Sequence, residues 1–535
     1  MSALAFRPVS ITVRTLPVAG ALQTTCRFKS GTCDLNHQRA AVQGKYKSIE
    51  ELPGPSLATT AHWLFIKGYA DRSHAMQVEH KKLYGPIWRS RFGPFEVVNV
   101  ATADLIAQVI RQEGKYPVRT HLPHWKEYRD MRGQAYGLHV ELCSIIRTVP
   151  DICPVLSRST GPEWHRIRSV LNPKMLKLRE VSAYSPVINE VVSDLLRRIY
   201  RLRQRSPDGT KVINLAEELY KFGFEGISSI LFETRLRCLD DDVPQDTQKF
   251  IKAAGEMLTL SETVLFFPQW TRAFLPFWQR FVQAWDDLYN VAQKLIDQKV
   301  KDINGMVKKG EVVEGMYLTS LLSCRKLSLR EIYISITELL LGGVDTTSNT
   351  MSWTLYHLAR DPGSQDRLYR EITSVCPGHQ VPTTEDLAKM PYMKAVIKEI
   401  LRLYPVVPGN GRLTVDNEVV VDNYLFPKMT QFHLCHYAAS HDESEFPNAE
   451  KFLPERWLRG GERFQHHPYS SIPFGVGVRA CLGKRVAELE MYFALSRLMQ
   501  HFEVRAEAGA KDIKPKTRTL MIPRDPIHLH FISRK

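Results

Sequence analysis

The chain has 535 residues, 44% of them hydrophobic, and a formal net charge of +15. This length and apolar content suffice for a large buried core. Because no Gly/Ser-rich linker or internal repeat divides the sequence, we expect one large domain, residues 43–535. The basic charge suits an acidic protein partner or an anionic membrane surface; no nucleic-acid-binding motif accompanies it, so we expect no nucleic-acid partner.

The N-terminal segment, residues 1–42, is predicted to be a mitochondrial transit sequence. It is rich in Ser, Thr and Ala, its first acidic residue is Asp34, and its basic residues are Arg7, Arg14, Arg27, Lys29 and Arg39. The alternative is a disordered basic tail. Its longest uncharged run, 15–26, is shorter than the ~20 apolar residues of a membrane-spanning helix. Nine cysteines in the chain, without paired or metal-site spacing, argue for a reducing compartment.

The pattern of the remaining sequence predicts a mainly α fold with small β-sheets. Helical periodicity extends over 186–204, 281–303 and Leu329–Arg360. Short alternating runs near 413–425 and 517–532 predict strands.

An aromatic segment lies between two of these helical stretches. Residues 264–270 and 274–278 combine aromatic side chains and prolines with Arg272 and Arg280. This composition is typical of an interfacial patch through which a lipid-dissolved substrate enters, so we expect peripheral membrane contact. Ordinary core packing is an equal alternative.

The predicted helix Leu329–Arg360 contains glycines and an acid–alcohol pair, Gly342-Gly343-Val344-Asp345-Thr346-Thr347. A glycine inside a helix costs about 1 kcal/mol relative to alanine, so a pair of them indicates a local opening beside a ligand. Alternatively, the threonine hydroxyl bonds back to the preceding helical turn.

Further along, Glu399 and Arg402 stand three residues apart on one face of a predicted helix, which alone is an ordinary surface pair. Arg456, in the run Phe452-Leu453-Pro454-Glu455-Arg456-Trp457, follows them. We expect the three side chains to form a buried network that fixes the loop containing Cys481.

That loop carries the most informative motif, Phe474-Gly475-Val476-Gly477-Val478-Arg479-Ala480-Cys481-Leu482-Gly483. The residues after Cys481 are predicted to open a helix, whose N-terminus favours an anion, so the thiol should ionise. Gly475 and Gly477 allow a tight turn, Gly483 leaves room beside the sulfur, and Phe474 shields it. A lone Gly-x-Gly-x-x-x-Cys is more often structural; the full ten-residue pattern favours a metal-binding thiolate.

The motifs of the last three paragraphs, and the order in which they follow one another, resemble those of the cytochrome P450 superfamily. The resemblance extends over most of the chain after about Glu51. The runs 114–119, 125–127, 403–408, 435–437 and 479–485 are similar to the mitochondrial branch that contains sterol 27-hydroxylase and the vitamin D hydroxylases.

The resemblance implies a haem-thiolate monooxygenase that uses haem b and O₂, with Cys481 as the axial iron ligand. Asp345 would feed a proton path, and Thr346 would hold the hydrogen-bond partner of the oxygen. The residues that would neutralise the haem propionates are Trp164, Arg168, Arg412 and Arg479. Each of the arginines is, taken singly, also compatible with a surface charge.

The resemblance also implies the protein's partners. An apolar sterol or secosteroid would be the substrate, and electrons would pass from NADPH through an adrenodoxin-type ferredoxin and its reductase, on the matrix side of the inner mitochondrial membrane. A positive patch for the acidic ferredoxin would consist of Lys394, Lys398, Lys484 and Arg485. Two lysines at helical spacing are otherwise a solvated face.

Some alternatives stay open at this stage. Within the monooxygenase reading, a vitamin D hydroxylase or a retinoid desaturase fits as well as a sterol side-chain hydroxylase. A different class is a haem-thiolate protein that binds ligand or isomerises its substrate without outside electrons; the Asp345–Thr346 pair favours the monooxygenase. The segment 138–160 is several turns longer than the corresponding segment of the family pattern. It is either an extra loop or a gene-model error.

Overall fold

The computed structural model describes residues 46–92, 95–119, 122–138, 153–272, 274–311, 315–458 and 466–534. Residues Ser48–Lys535 form one compact unit. The predicted transit segment and the domain boundary after residue 42 lie outside the described residues, as does most of the proposed insertion. Within the described part of the chain, no helix has both the length and the apolar character needed to cross a membrane.

Helices make up most of the described chain, as the sequence predicts. In order they are α1 (Leu57–Ala61), α2 (Ser73–Tyr84), α3 (Ala103–Arg111), α4 (Pro123–Arg132), α5 (Cys153–Leu176), α6 (Leu178–Ser182), α7 (Ser185–Gln204), α8 (Leu215–Leu231), α9 (Gln245–Phe266), α10 (Pro276–Lys308), α11 (Leu318–Cys324), α12 (Leu329–Arg360), α13 (Pro362–Val375), α14 (Thr384–Ala388), α15 (Pro391–Leu403), α16 (His436–Ser440) and α17 (Lys484–His501).

The strands are short and form small sheets. They are β1 (Ile87–Phe92), β2 (Phe95–Val100), β3 (Lys211–Val212), β4 (Asn410–Leu413), β5 (Val419–Val421), β6 (Tyr424–Phe426), β7 (Gln431–Leu434), β8 (Phe502–Ala506), β9 (Pro515–Arg518), β10 (Leu520–Pro523) and β11 (Leu529–Ser533). One sheet has the order β1-β2-β7-β4, with β2 and β7 parallel and the other pairs antiparallel. A second has the order β3-β11-β8, and β5–β6 and β9–β10 are antiparallel pairs.

The central element is α12, which is buried on nearly all sides. Its N-terminus is fixed by a capping box in which Ser328 and Glu331 each bond the other's backbone amide. The helix packs against α8, α10, α15 and α17, so it crosses the middle of the large hydrophobic core.

Glu490, on α17, is a buried carboxyl group that gives the fold a predictable pH dependence. The side chain is 1% exposed, its Oε1 has no hydrogen-bond partner among the described residues, and burial raises the pKa of Glu490 to about 8. The folded protein therefore holds a proton that the unfolded chain releases near its ordinary pKa of 4.5. The free energy of unfolding is therefore unaffected by Glu490 below about pH 4.5, where the carboxyl is neutral in both states. It decreases as pH rises from 4.5 towards 8, where only the unfolded chain releases the proton.

We expect Glu490→Gln to remove this dependence, because the amide stays neutral at every pH. The variant should gain stability over the wild type progressively from pH 5 to pH 8, by up to about 4 kcal/mol. Urea unfolding at pH 5 and pH 8 measures the difference in stability between the two proteins. The control is Glu503→Gln, which removes a carboxylate from an exposed ion pair with Arg505. Equal wild-type and Glu490→Gln curves at pH 8 would show that the carboxyl is not held neutral.

Candidate active site

Cys481 lies at the end of a tight loop that immediately precedes α17. Gly475 and Gly477 have φ of +65° and +69°, the left-handed region that glycine tolerates. The Cys481 amide donates to the Phe474 carbonyl at 2.7 Å, and a Cβ added to Gly483 would lie 4.0 Å from the sulfur. The loop therefore folds back on itself and keeps the space beside the sulfur open, as predicted for these residues.

The pKa of the Cys481 thiol departs from expectation. Burial raises it, although the amides of Gly483 and Lys484 and the guanidiniums of Arg119 and Arg168 all act to lower it. The expectation that the helix start alone would ionise the thiol is therefore wrong, because the loss of solvation outweighs the nearby donors. A bound metal cation deprotonates a coordinating thiol outright, so the sulfur becomes a thiolate when it has such a partner.

Buried arginines surround the loop. Arg479 is 1% exposed, and its Cζ lies 3.4 Å from the ring centroid of Trp164. Arg168, one helical turn from Trp164 on α5, donates to the Ala480 carbonyl at 2.6 Å, and Arg119 donates to the Arg479 carbonyl at 2.6 Å. The structure thus brings three of the predicted propionate-binding residues to the residues just before Cys481.

Arg412, on β4, joins this group and brings an acidic side chain with it. Its Nε donates to Glu113, and burial raises the pKa of Glu113 although Arg412, Arg479 and Arg119 lower it. Three guanidiniums, those of Arg412, Arg479 and Arg119, thus act on the Glu113 carboxylate. The excess of positive charge is what an anionic ligand requires.

Gly342 and Thr346 mark the open part of α12. Gly342 is exposed in the middle of the helix, and no atom outside the helix's own nearby backbone lies within 4 Å of a Cβ added there. Thr346, one turn on, is half-buried, and its hydroxyl donates to the Gly342 carbonyl at 2.7 Å. The helix continues without a break through the glycine pair. The opening predicted there comes from the missing side chain of Gly342, and the Thr346 hydroxyl makes the bond to the preceding turn that was the alternative interpretation.

Asp345 is paired in a way that the sequence did not indicate. It is 2% exposed and accepts a hydrogen bond from Arg518 at 2.9 Å. Tyr220 also lies beside it, because its hydroxyl accepts from Arg518 at 3.1 Å. Burial raises the pKa of Asp345, while Arg518 and Tyr220 oppose this effect. Burial in α12 therefore favours the neutral Asp345 carboxyl, and the Arg518 guanidinium favours its ionised form.

Glu399, Arg402 and Arg456 form the expected network. Arg402 donates to both Glu399 oxygens at 2.9 and 2.7 Å, Arg456 donates at 3.0 Å, and Trp457 adds an indole bond at 2.8 Å. Arg402 also reaches the Ser440 carbonyl at 2.9 Å. These bonds tie α15 to residues 440–457, the segment before the cysteine loop, rather than to the loop itself.

The predicted positive patch is less uniform than expected. Lys398 and Arg485 are exposed, whereas Lys394 is half-buried and donates to the Ala388 carbonyl at 3.0 Å. Burial lowers the pKa of Lys394, Lys398 lowers it further, and Glu488 raises it; Glu488 also pairs with Arg485 at 3.4 Å. Lys484 lies over the Phe474 ring, 5.5 Å from its centroid. Glu371 also raises the pKa of Lys394, so two carboxylates, Glu371 and Glu488, stand among the cations of this surface.

These residues fit haem. The cysteine loop offers a sulfur with space beside it, the surrounding guanidiniums offer a net positive charge for two propionates, and α12 has an unfilled surface at Gly342. When bound, haem supplies the activation of O₂ by which one oxygen atom enters a C–H bond and the other leaves as water. Cys481 would hold its iron, and Trp164, Arg168, Arg412 and Arg479 its propionates.

The comparison with known families decides the assignment. The family model described as "Cytochrome P450" matches residues 52–142 and 150–531. The chain belongs to the cytochrome P450 family. It is a P450 monooxygenase, with the mainly α fold and small sheets that the sequence predicted. The match is interrupted at residues 143–149, inside the segment 138–160 that the sequence analysis marked as unusually long.

Curated relatives cover nearly the whole P450. The chain is 43% identical over 498 residues to the mitochondrial sterol 26-hydroxylase of Rattus norvegicus, covering 92% of this chain and 90% of the relative. It is 38% identical over 530 residues to cytochrome P450 27C1 of Danio rerio, with coverages of 98% and 94%. It is 40% identical over 495 residues to the mitochondrial 25-hydroxyvitamin D-1 alpha hydroxylase of Homo sapiens, with coverages of 91% and 93%.

A solved structure shows the same fold at low identity. The crystal structure of the cytochrome P450DA heme domain has a TM-score of 0.70 and 20% sequence identity, and the match covers 92% of this chain and 97% of that one. At this identity the likeness concerns the fold alone.

Three residues near the site were not predicted from the sequence: Arg119, Glu113 and Arg518. Arg119 stands in the run 114–119, which resembles the mitochondrial P450 branch but does not by itself indicate a role for the arginine. Glu113 immediately precedes that run. Arg518 is 173 residues from Asp345 in sequence, and no local pattern links them.

Proposed function

We propose that this P450 is a mitochondrial enzyme that hydroxylates the side chain of a sterol or secosteroid with electrons from a ferredoxin. The 43% identity to a sterol 26-hydroxylase over 90% of that enzyme's length carries the proposal. The vitamin D relative at 40% supports a secosteroid as the second substrate class. Haem b and O₂ follow from the family, and NADPH is the source of electrons through the ferredoxin and its reductase.

Side chains of the protein would deliver the protons that this reaction consumes. Insertion of one oxygen atom into a C–H bond with reduction of the other to water consumes two electrons and two protons. Asp345 is buried on α12 beside Thr346, whose hydroxyl is half-exposed at the open face. We assign Asp345 the uptake of a proton from solvent and Thr346 its orientation towards the oxygen.

The substrate class is tested by titrating the haem-loaded protein with a sterol, a vitamin D secosteroid and a retinoid, and following the substrate-induced change in the haem spectrum. We expect the sterol or the secosteroid to bind most tightly. Tightest binding of the retinoid would overturn the substrate assignment and favour a desaturase.

We assign ferredoxin docking to Lys394, Lys398, Lys484 and Arg485. Charged partners at this surface would be steered together, and the attraction weakens when salt screens charges beyond about 8 Å at physiological ionic strength. Because Lys394 already bonds the Ala388 carbonyl, exposed Lys398 and Arg485 should contribute most.

We expect Lys394→Glu with Lys398→Glu to raise the ferredoxin concentration for half-maximal turnover about tenfold or more and to flatten its salt dependence, at unchanged substrate affinity. Reconstituted turnover over a ferredoxin and salt series measures this. The control is Lys308→Glu with Lys309→Glu, two exposed lysines at the end of α10. If both double variants respond alike, these lysines do not form the docking site.

Peripheral membrane contact is supported by the connection between α9 and α10. Phe267, Trp270 and Phe274 are 41%, 74% and 82% exposed, which is unusual for large apolar side chains. Trp278 and Arg272 are instead buried, and Arg272 pairs with Glu127, so these two residues of the predicted patch do not face outwards. The contact is therefore apolar insertion at the α9–α10 connection, on the matrix side of the inner membrane.

We propose that residues 1–42 direct the protein to the mitochondrion and that residues 43–535 are the catalytic domain. The mitochondrial relatives and the basic, Ser/Thr-rich composition support this. A reporter fused to residues 1–42 should enter the mitochondrial matrix and be shortened. Retention of the reporter in the cytosol, or its secretion, would contradict the assignment.

A further inference from the structure

The turn between β9 and β10 is where three separate parts of the protein meet. Arg518 and Leu520 pair across it, leaving Thr519 alone at the tip with φ of +61°. This left-handed conformation is strained for a β-branched residue, and such strain persists only where surrounding contacts impose it. The contacts that impose it run to α9 and α12.

Three hydrogen bonds tie the turn to α9. The Thr519 amide donates to Glu262 Oε1 at 2.6 Å, the Thr519 hydroxyl donates to the Leu258 carbonyl at 2.9 Å, and Arg518 Nη1 donates to the Gly255 carbonyl at 3.3 Å. A Cβ on Gly255 would lie 2.8 Å from that Nη1, so a larger residue at this position would force the guanidinium to shift. The turn therefore follows α9 over almost two helical turns.

The other end of the same guanidinium reaches the acid on α12. Arg518 Nη2 donates to Asp345 Oδ1 at 2.9 Å and to the Tyr220 hydroxyl, on α8, at 3.1 Å. Asn349, one turn after Asp345, also donates to Tyr220 at 3.0 Å. The two Nη groups of one side chain thus connect α9 with the Asp345 carboxylate.

We propose that Arg518 is the positioning residue of Asp345 and that the β9–β10 turn transmits the position of α9 to this carboxylate. The proposal rests on the proton-carrying role assigned to Asp345 above. With α9 against the turn, Arg518 pairs with Asp345 and stabilises its ionised form. When α9 moves, it draws Arg518 from Asp345, and the buried carboxyl takes up a proton.

The charges that face these groups are few and can be separated by experiment. Arg518 and Tyr220 face Asp345; Glu262 faces the turn from α9, and burial raises the pKa of Glu262 to about 7, with Asp71 adding to the rise. Each Arg518 variant is therefore also measured in a Glu262→Gln background, so that the titration of Glu262 is not mistaken for that of Asp345.

The test is the pH dependence of coupling, measured as product formed per NADPH consumed, together with infrared titration of the protonated carboxyl that Asp345→Asn removes. In Arg518→Met, loss of the cation should raise the alkaline midpoint of both signals by about one to three pH units. Arg518→Lys should shift it less. Gly255→Ala, which displaces the guanidinium without changing any charge, should shift it in the same direction.

Arg524→Met is the matched control, because Arg524 pairs with Asp71 at the other end of the same hairpin. It should leave both midpoints at the wild-type pH. If Arg518→Met and Gly255→Ala also keep the wild-type midpoints while Asp345→Asn is impaired, the positioning role is wrong and the proton path stands. If Asp345→Asn itself couples normally, the proton path is wrong.

Discussion

Replacing Cys481 with alanine is expected to abolish stable haem incorporation. The loop geometry that presents the sulfur is held by backbone contacts, including the Cys481 amide bond to Phe474, and would survive the substitution. The substitution would remove the proposed iron ligand, and with it the sulfur that lies beside the guanidiniums of Arg119 and Arg168. Haem content per polypeptide and the carbon monoxide difference spectrum measure the effect.

Two further variants make this result interpretable. Cys324→Ala, at an exposed free cysteine, should keep full haem content and a thiolate-type spectrum. Cys481→His should retain some haem but lose the thiolate-type spectrum, because an imidazole also binds iron. A thiolate-type spectrum in Cys481→Ala would place the ligand at another cysteine.

The second large effect is expected on proton delivery. Thr346→Ala and Asp345→Asn should leave haem and substrate binding intact but slow product formation by about 10²- to 10⁴-fold, or divert electrons to hydrogen peroxide. Within the described part of the chain, the Thr346 hydroxyl makes one hydrogen bond, the back-bond to the Gly342 carbonyl, so its removal should not disturb α12. Product, NADPH and peroxide measured together separate slow turnover from uncoupling.

Thr350→Ala is the matched control for this pair. Its hydroxyl makes the same back-bond one turn further along α12, to the Thr346 carbonyl at 2.9 Å, but it is buried away from the open face. It should couple like the wild type. Normal coupling in both Thr346→Ala and Asp345→Asn would contradict the proton path.

The sequence predicted what depends on local pattern. The helix Leu329–Arg360 is found with the predicted bounds, because its capping box and apolar periodicity are both local. The predicted helix 186–204 is Ser185–Gln204, and 281–303 lies inside Pro276–Lys308. Each of these signals lies within one helix or its cap.

What the sequence missed depends on contacts between distant segments. The partner of Asp345 comes from a hairpin near the C-terminus, and Arg412 is balanced by Glu113 from far upstream. The direction of the Cys481 pKa was wrong for a related reason: a local pattern shows the helix start, whereas desolvation depends on everything packed around the sulfur. Lys394 was expected to be exposed, but its ammonium group bends back to the Ala388 carbonyl.

The central claim is that this P450 hydroxylates a sterol or secosteroid with ferredoxin-borne electrons, and product analysis under ¹⁸O₂ tests it most directly. The haem-loaded protein is combined with ferredoxin, its reductase and NADPH, and offered a sterol, a secosteroid and a retinoid. We predict a side-chain alcohol of the sterol or secosteroid that contains one ¹⁸O atom and forms only when ferredoxin is present. A product without ¹⁸O, or formed equally without ferredoxin, would contradict the account.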